Sequence, residues 1–369
     1  MLSRRSLGRA TLRRQLLLER ADLGVGAAVE HVLGLNAQDP DPPYLALWNR
    51  LDGFAIDDLT QALVDGELVR STMMRATQHI VTVGDFRLLR PLLGDLLRRV
   101  QRNGWGSRTA GVDLDALVAD ARELLAGGEV MTRAELGRAL AASRPGTNAT
   151  ALAWTVQYLL PVVHPAPSGT WRTYGPTSYA LADGPVGRTD GLDPGLAIEE
   201  MVRRYLAAFG PATPTDARAW SGVTGLREVF DRLRPELRTF ADEAGRQLYD
   251  LPDAPLPDPD EPAPVRLLPR FDGPVLAHAD RTRTMSDEVR RRVIDGAAVE
   301  PVVLVDGTVA STWVAAMSVD GGPATVMVRP LRALSPAERD DVEAEALRLL
   351  AFTDPDAAEH RVEIEPLPG

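Results

Sequence analysis

From Asp113 to Asp183 the chain sets three helical periods in succession before short extended segments around turns, an order that sharply restricts the folds open to it. Leu114, Leu117, Ala121, Leu124 and Leu125 recur at helical spacing. Thr132 offers an N-cap, and Glu135 three residues later completes a capping box for a second helix through Leu140. SRPGT makes a turn, and Asn148 caps a third helix through Tyr158 to about Leu160. PVVHPA, a PSG turn, TWRTYG and SYALA then read as short strands closing a ribbon. Three helices followed by a ribbon is the winged-helix plan, a variant of helix-turn-helix.

The plan recurs. LAIEEMVRRYLAA (196–208) is an amphipathic helix, Gly210 stops it, and Thr215 starts a short second helix. TGLREVFDRLRPEL supplies the third helix, and RTFADEAGRQLYDL gives two strands around a glycine turn. The first hundred residues follow a variant: helices near 8–18, 24–35, 43–52 and 57–66, and strands near 68–73 and 77–83. One long helix from about Asp85 to Asn103 bridges to the next module. DAPLPDPDEPAP is an acidic, proline-rich linker of extended character. Beyond it the period changes to that of strands, in VRLLPRF, VLAHA, VEPVVLVDG, TVASTWVAAM and ATVMVRPL, which suggests a small β-barrel. A helix from Pro336 to about Phe352 and a last strand, HRVEIEPL, complete it. The expected class is therefore α+β. Its modules are a first winged-helix-like unit with the bridging helix (1–110), a second (111–190) and third (191–255) winged helix, and a β-barrel unit (262–369).

Composition narrows the chemistry. With 369 residues and 44% hydrophobic content the chain has ample material for several cores. It has no cysteine, which excludes disulfides, thiolate zinc sites and cysteine nucleophiles. No run of roughly 18 apolar residues occurs, and the arginine-led N-terminus lacks an apolar signal core, so a cytoplasmic protein without membrane contact is expected. The net charge of −11 weighs mildly against nucleic-acid binding, but phosphate affinity depends on local patches. Every basic residue is arginine, and arginines crowd two segments, Arg4 to Arg14 and Arg281 to Arg292. Basic stripes suit DNA; solvated helix faces would look the same.

Five segments together resemble the AlkZ family of winged-helix DNA glycosylases: TLRRQLLLER, VLGLNAQDPDPPYLALWNRL, LVRSTMMRATQHIVTVGDF, YLAAFGPATPTDARAWSGV and LLPRFDGPVLAHADRTR. They span nearly the whole chain in the family's order. The resemblance implies tandem winged helices forming a concave DNA-binding surface with a β-barrel. It implies bacterial glycosylase activity, in some members self-protection against a DNA-alkylating natural product. Family members carry Gln-x-Gln or Gln-x-Asp after an early helix. The matching residues here are Asn36, Ala37 and Gln38, followed by Asp39. Asn36 thus replaces the first glutamine, and its amide lies about 1.5 Å further back.

An N7-alkylated guanine is cationic and already a good leaving group. The remaining work is to place a water at C1′ and stabilise an oxocarbenium-like sugar, which amide oxygens can do as hydrogen-bond acceptors and dipoles. Asn36 and Gln38 are the catalytic candidates this implies; by spacing alone they equally suit turn residues that end a helix. Asp39 is a possible base, or the N-cap of the helix beginning near Pro43. His79 matches a histidine common in the family and, with Arg75, is a candidate DNA contact; burial in the core or an internal ion pair are the alternatives. Arg281, Thr282 and Arg283 occupy the place of a hairpin that approaches DNA in the family, and Arg-Thr-Arg alternation on a strand would turn both guanidinia to one face for phosphate contact. Tyr44 and Trp48, four apart, read as core. The remaining histidines, His31, His164, His278 and His360, form no metal-ligand pattern, and no Walker or Rossmann glycine motif is present, so no metal and no cofactor is expected. The expected protein is a monomeric, monofunctional glycosylase acting on alkylated purines in double-stranded DNA, nucleoid-associated when bound. The alternative is a non-enzymatic winged-helix regulator or damage sensor.

Overall fold

The computed structural model describes residues 1–367 apart from 185, 188–192 and 320. Its first part holds α1 (Arg4–Arg14), α2 (Val25–His31), the short strand β1 (Leu35–Asn36), α3 (Pro42–Arg50), α4 (Ile56–Val64), β2 (Leu68–Thr72) and β3 (Gln78–Thr82). The bridging segment is two helices rather than one, α5 (Val83–Leu92) and α6 (Gly94–Trp105). Pro91 lacks the N–H that would continue the ladder, and Gly94 follows, so the run breaks at Leu93.

The second part is α7 (Leu114–Leu124), β4 (Met131–Thr132), α8 (Arg133–Ala142), α9 (Ala149–Leu159), β5 (Val162–Val163) and β6 (Ser178–Leu181). The Thr132–Glu135 capping box and the Asn148 cap both form. TWRTYG, expected as a strand, is a loop of turns, and the sheet order is β4–β6–β5. The third part is α10 (Pro194–Phe209), α11 (Pro214–Ser221), α12 (Leu226–Leu233), β7 (Arg238–Ala241) and β8 (Gln247–Asp250). Thr213, not Thr215, caps α11, because Asp216 closes a capping box on it. The boundary expected at 190/191 lies outside the described residues.

The last part is β9 (Arg266–Leu268), α13 (Gly273–Leu276), α14 (Asp287–Val293), the ribbon β10 (Ile294–Asp295) and β11 (Ala298–Val299), β12 (Val302–Val305), β13 (Thr308–Ala316), β14 (Pro323–Pro330), α15 (Pro336–Thr353) and β15 (Glu359–Ile364). The expected barrel does not close. The strands form an open sheet in the order β15–β14–β13–β12–β9, with β15 parallel to β14. The edge strands do not pair with each other, and α15 lies against β9, β12, β14 and β15. VLAHA is not a strand either: Pro274 sits in the first turn of the short helix α13, which takes up Val275 and Leu276.

The hydrophobic cores do not follow chain order. Leu117, Leu136, Leu152 and Tyr179 make a self-contained core in the second part. Tyr44 and Trp48, read as core from their spacing, pack together with Leu47 against Val303 and Val326 of the open sheet and Leu349 of α15. Leu33, Val69 and Phe86 share a core with Tyr205, Phe209 and Trp220. The first part is therefore the hub against which the third and last parts pack.

The arginines of α1 serve this assembly. Arg9 donates to the Glu261 carbonyl and pairs with Asp306; Arg13 pairs with Glu261; Arg14 donates to the Pro255 carbonyl. The linker's prolines supply carbonyls but few N–H groups, so guanidinium donors are well matched to it. Arg14 and Asp250, both almost fully buried, form a two-bond pair of 2.7 and 2.9 Å. No helix among the described residues is long and apolar enough to cross a membrane. Removing one member of a buried pair strands its partner. Asp250→Ala should therefore lower the unfolding free energy by about 3–5 kcal/mol in urea titration, whereas Asp287→Ala, at an exposed pair with Arg290, should leave the midpoint within error.

Candidate active site

The sheet β1–β3–β2 sets Asn36 directly opposite His79 and Leu35 opposite Ile80. Gly34 delivers β1 to this position. It has φ +91°, and a Cβ there would stand 2.8 Å from Val81 and 3.2 Å from the Ile80 carbonyl. A side chain would push β1 off β3 and carry Asn36 away from His79.

Local hydrogen bonds fix the strand end. The Ala37 N–H donates to the Gln78 carbonyl at 2.8 Å, and Arg70 Nε donates to the Ala37 carbonyl at 3.0 Å. The Asn36 side-chain oxygen accepts the Gln38 N–H at 3.2 Å, and its amide nitrogen approaches Thr77 Oγ1 at 3.4 Å. Among the described residues the Gln38 side chain makes no hydrogen bond, and it is exposed. Asn36 thus orients the turn, and Gln38 carries the amide free to meet a ligand. Asp39 does not cap α3. The cap position is Asp41, whose carboxylate instead accepts the Arg172 N–H at 2.8 Å and the Tyr174 hydroxyl at 2.7 Å. The Asp39 carboxylate makes no hydrogen bond or ion pair among the described residues.

His79 is buried, with Nδ1 3.1 Å from the Thr77 carbonyl, so Nδ1 carries the proton and Nε2 the lone pair. Burial, then the nearby Arg75 guanidinium, push its pKa down to about 3, which makes the ring neutral at physiological pH. Arg75 lies in a left-handed turn, φ +55°, and donates to the Trp220 carbonyl at 2.7 Å. Burial and the charge of Arg281 lower its pKa to about 10, which leaves it charged.

Asn36, Arg75 and His79 share a narrow cleft with Trp220 and Phe209, closed on the far side by the loop Pro269–Gly273. Gln38 and Asp39 do not line it. Arg281 lies near Arg75, whose pKa its charge lowers, and it donates to the Val275 carbonyl at 2.9 Å. The expected strand through Arg281, Thr282 and Arg283 is absent. Residues 280–285 turn, with the Thr284 and Met285 N–H groups bonded to the Arg281 carbonyl. Thr282 faces other surface clefts, and Arg283 is buried with its donors directed to the Pro211 and Phe209 carbonyls and Thr11. The two guanidinia therefore do not share a face.

Sequence reasoning missed the far wall. Asp272 and Arg50 form a buried bidentate pair at 2.7 and 2.9 Å, with Gln15 3.4 Å from the same guanidinium. The pair holds the loop in which Phe271 adopts φ +62° and Arg270 is exposed. FDG was the available signal, since Asp-Gly after a strand marks a turn.

The fold has a counterpart. A family model described as "DNA glycosylase AlkZ-like" matches residues 29–352. The chain belongs to the AlkZ-like DNA glycosylase family. The solved Streptomyces sahachiroi DNA glycosylase AlkZ superposes with a TM-score of 0.79 at 22% identity, covering 99% of this chain and 100% of that one. Comparison with curated protein sequences gives no significant match. As a member of this family the protein is a DNA glycosylase, with DNA as its partner.

Burial also sets a pH dependence. His79, His164 and His278 each have a folded-state pKa near 3 against an ordinary 6.5. The folded state binds fewer protons than the unfolded chain between those values. The stability these neutral rings contribute is complete above about 6.5 and lost as pH falls toward 3. The His79 ring resonances should not titrate between about pH 5 and 8, and His79→Gln should flatten the decline of the urea midpoint below pH 6.5. A His79 titration near 6.5 would contradict its burial.

Proposed function

We propose that this glycosylase hydrolyses the N-glycosidic bond of N7-alkylated purines in duplex DNA, bulky natural-product adducts included, in DNA repair or in self-resistance to a genotoxin. The observation that carries the proposal is the cleft's lack of a free acid. Among the described residues lining it, the one carboxylate is Asp272, and both its oxygens are bound to Arg50. His79 is neutral and held by Thr77. Such a site has no proton to give to a leaving base. It suits a base that is already cationic, and it spares ordinary purines.

On this reading Gln38, exposed on the turn beside the cleft rather than in its lining, swings toward bound DNA, accepts a hydrogen bond from the attacking water and directs its carbonyl dipole at the oxocarbenium-like sugar, while Asn36, which does line the cleft, holds the turn in register. An amide has no basic pair, so proton removal falls to bulk water or to the nearby, unpaired Asp39. Neutral His79 adds no repulsion to a cationic base. Arg75 and Arg281 meet phosphates. The three helix-and-ribbon units act as winged helices around a concave face, and the protein works as a monomer in the cytoplasm, on the nucleoid. Without lysine, no side-chain amine is available for a Schiff base, so the reaction is monofunctional and leaves an intact abasic site.

Gln38→Ala should slow single-turnover base release from N7-methylguanine DNA by about 100- to 1000-fold while leaving DNA affinity nearly unchanged, because the amide acts only in the transition state. Asn36→Gln should keep or raise the rate. If Asp39→Asn abolishes release while Gln38→Ala is mild, the carboxylate and not the amide is the catalytic group. Trapping of a covalent adduct with borohydride would refute the monofunctional route, and tight DNA binding without release of any alkylated base would leave a DNA-binding protein rather than an enzyme.

A further inference from the structure

Arg75 lines the cleft, and the Met74–Ala76 turn that holds it packs on α6. A Cβ on Gly222 would stand 2.7 Å from the Leu96 side chain and 3.6 Å from the Arg75 Cα, and Arg99 reaches the Gly222 carbonyl at 3.5 Å. From there the helix leads outward. Arg98, Arg102 and Trp105 follow at spacings of four and three and share one face. Arg98 and Arg102 stand about 6 Å apart along the axis.

At its far end the ridge becomes aromatic. The Trp105 and Trp154 rings stack at 5.5 Å with 14° between their planes, and Tyr158 continues the stack 6.1 Å from Trp154. All three rings are half-buried. Arg108 lies over Trp105 at 5.2 Å and Arg133 over Trp154 at 3.9 Å. A guanidinium seated on a ring face is oriented by it; Arg133 turns its N–H groups inward, to the Tyr179 hydroxyl at 2.8 Å and Gln157 Oε1 at 3.3 Å, whereas Arg108 is exposed.

The chain has 52 acids against 41 arginines, and many of its surface arginines stand beside carboxylates, as Arg203 does with Glu236, Arg232 with Glu199 and Arg332 with Glu338, while others, such as Arg227, Arg291 and Arg292, do not among the described residues. Along the ridge one acid, Asp95, meets Arg98 at 3.1 Å. Arg99, Arg102, Arg108 and Arg133 have no carboxylate within 4 Å among the described residues. Exposed Arg102 and Arg108, the latter propped on Trp105, with Arg99 beside them and no carboxylate within 4 Å among the described residues, make a surface complementary to a polyanion.

We propose that the α6–α9 ridge is a second DNA contact, continuous with the cleft, that grips the phosphate backbone of the duplex flanking the lesion. It carries affinity and position rather than chemistry. The inference rests on the glycosylase reading for its ligand but not for its test, which needs no damaged base. Affinity of the full-length protein for a short undamaged duplex is measured by fluorescence anisotropy from about 50 to about 200 mM salt. Arg102→Ala and Arg108→Ala should each weaken binding several-fold and reduce the slope of log K against log salt by about 0.9, one phosphate each. Arg102→Lys should retain the slope, because it keeps the charge. Asp95→Asn should tighten binding by freeing Arg98. An unchanged slope in both alanine variants, with wild-type melting, overturns the proposal; so does an unchanged affinity in Asp95→Asn together with Arg102→Ala. Base release from N7-methylguanine DNA, assayed separately, distinguishes failure of the ridge from failure of the glycosylase reading.

Discussion

The buried pair between Arg50 and Asp272 is the contact on which the cleft depends. Its partners lie 222 residues apart, at the end of α3 and in the loop after β9. Two hydrogen bonds to a planar guanidinium fix orientation as well as distance. Asn36 enters the cleft from the strand before α3, and Phe271 and Arg270 enter from the loop that Asp272 anchors. The pair therefore sets the width of the gap between them. Its burial makes it costly to break, since either partner left alone is an uncompensated charge in a low-dielectric setting.

The lysine-free composition gives this protein a single kind of cation with two uses. Inside, guanidinia satisfy several acceptors at once: Arg14 binds Asp250 and two carbonyls, Arg283 binds carbonyls of the Phe209–Pro211 segment, and Arg9 ties α1 to the linker. The arginine-rich N-terminus, which as a sequence suggested a DNA-facing stripe, is largely part of this internal framework. Outside, the arginines without countercharges among the described residues include Arg102 and Arg108 on and after α6, as well as others such as Arg227, Arg291 and Arg292 on separate elements. Net charge conceals this division, because long-range repulsion from phosphate is screened within about 10 Å at ordinary salt while a local ridge acts at contact.

Helix starts were legible at Thr132 and Asn148, where the cap interaction closes within one turn; at α11 the sequence pointed to Thr215, two residues past the actual cap Thr213, although Asp216 stands three residues on from Thr213. Where two local solutions compete, tertiary contacts chose between them. Asp39 and Asp41 are equally good caps in DPDPP; the Arg172 backbone and Tyr174 take up Asp41, and Asp39 is left without a partner among the described residues. The Arg-Thr-Arg segment has the alternation of a strand, yet it turns, because Arg283 finds buried carbonyls that an extended course would not reach. The sheet that ends the chain has the strand count of a barrel but stays open, since its last strand returns parallel after α15 instead of pairing with β9.

By itself the sequence determined the order of helices and ribbons, the family, the absence of thiol and lysine chemistry, and the segment Asn36–Asp39 as the place to look. All of these are written in local spacing and residue type. The tertiary structure decided which of those residues face one cleft, that His79 is neutral, that Asn36 steadies Gln38, and which arginines are free. Each of these turns on burial and on partners far away in the chain, and both the pKa of a ring and the availability of a guanidinium are properties of surroundings that no local pattern encodes.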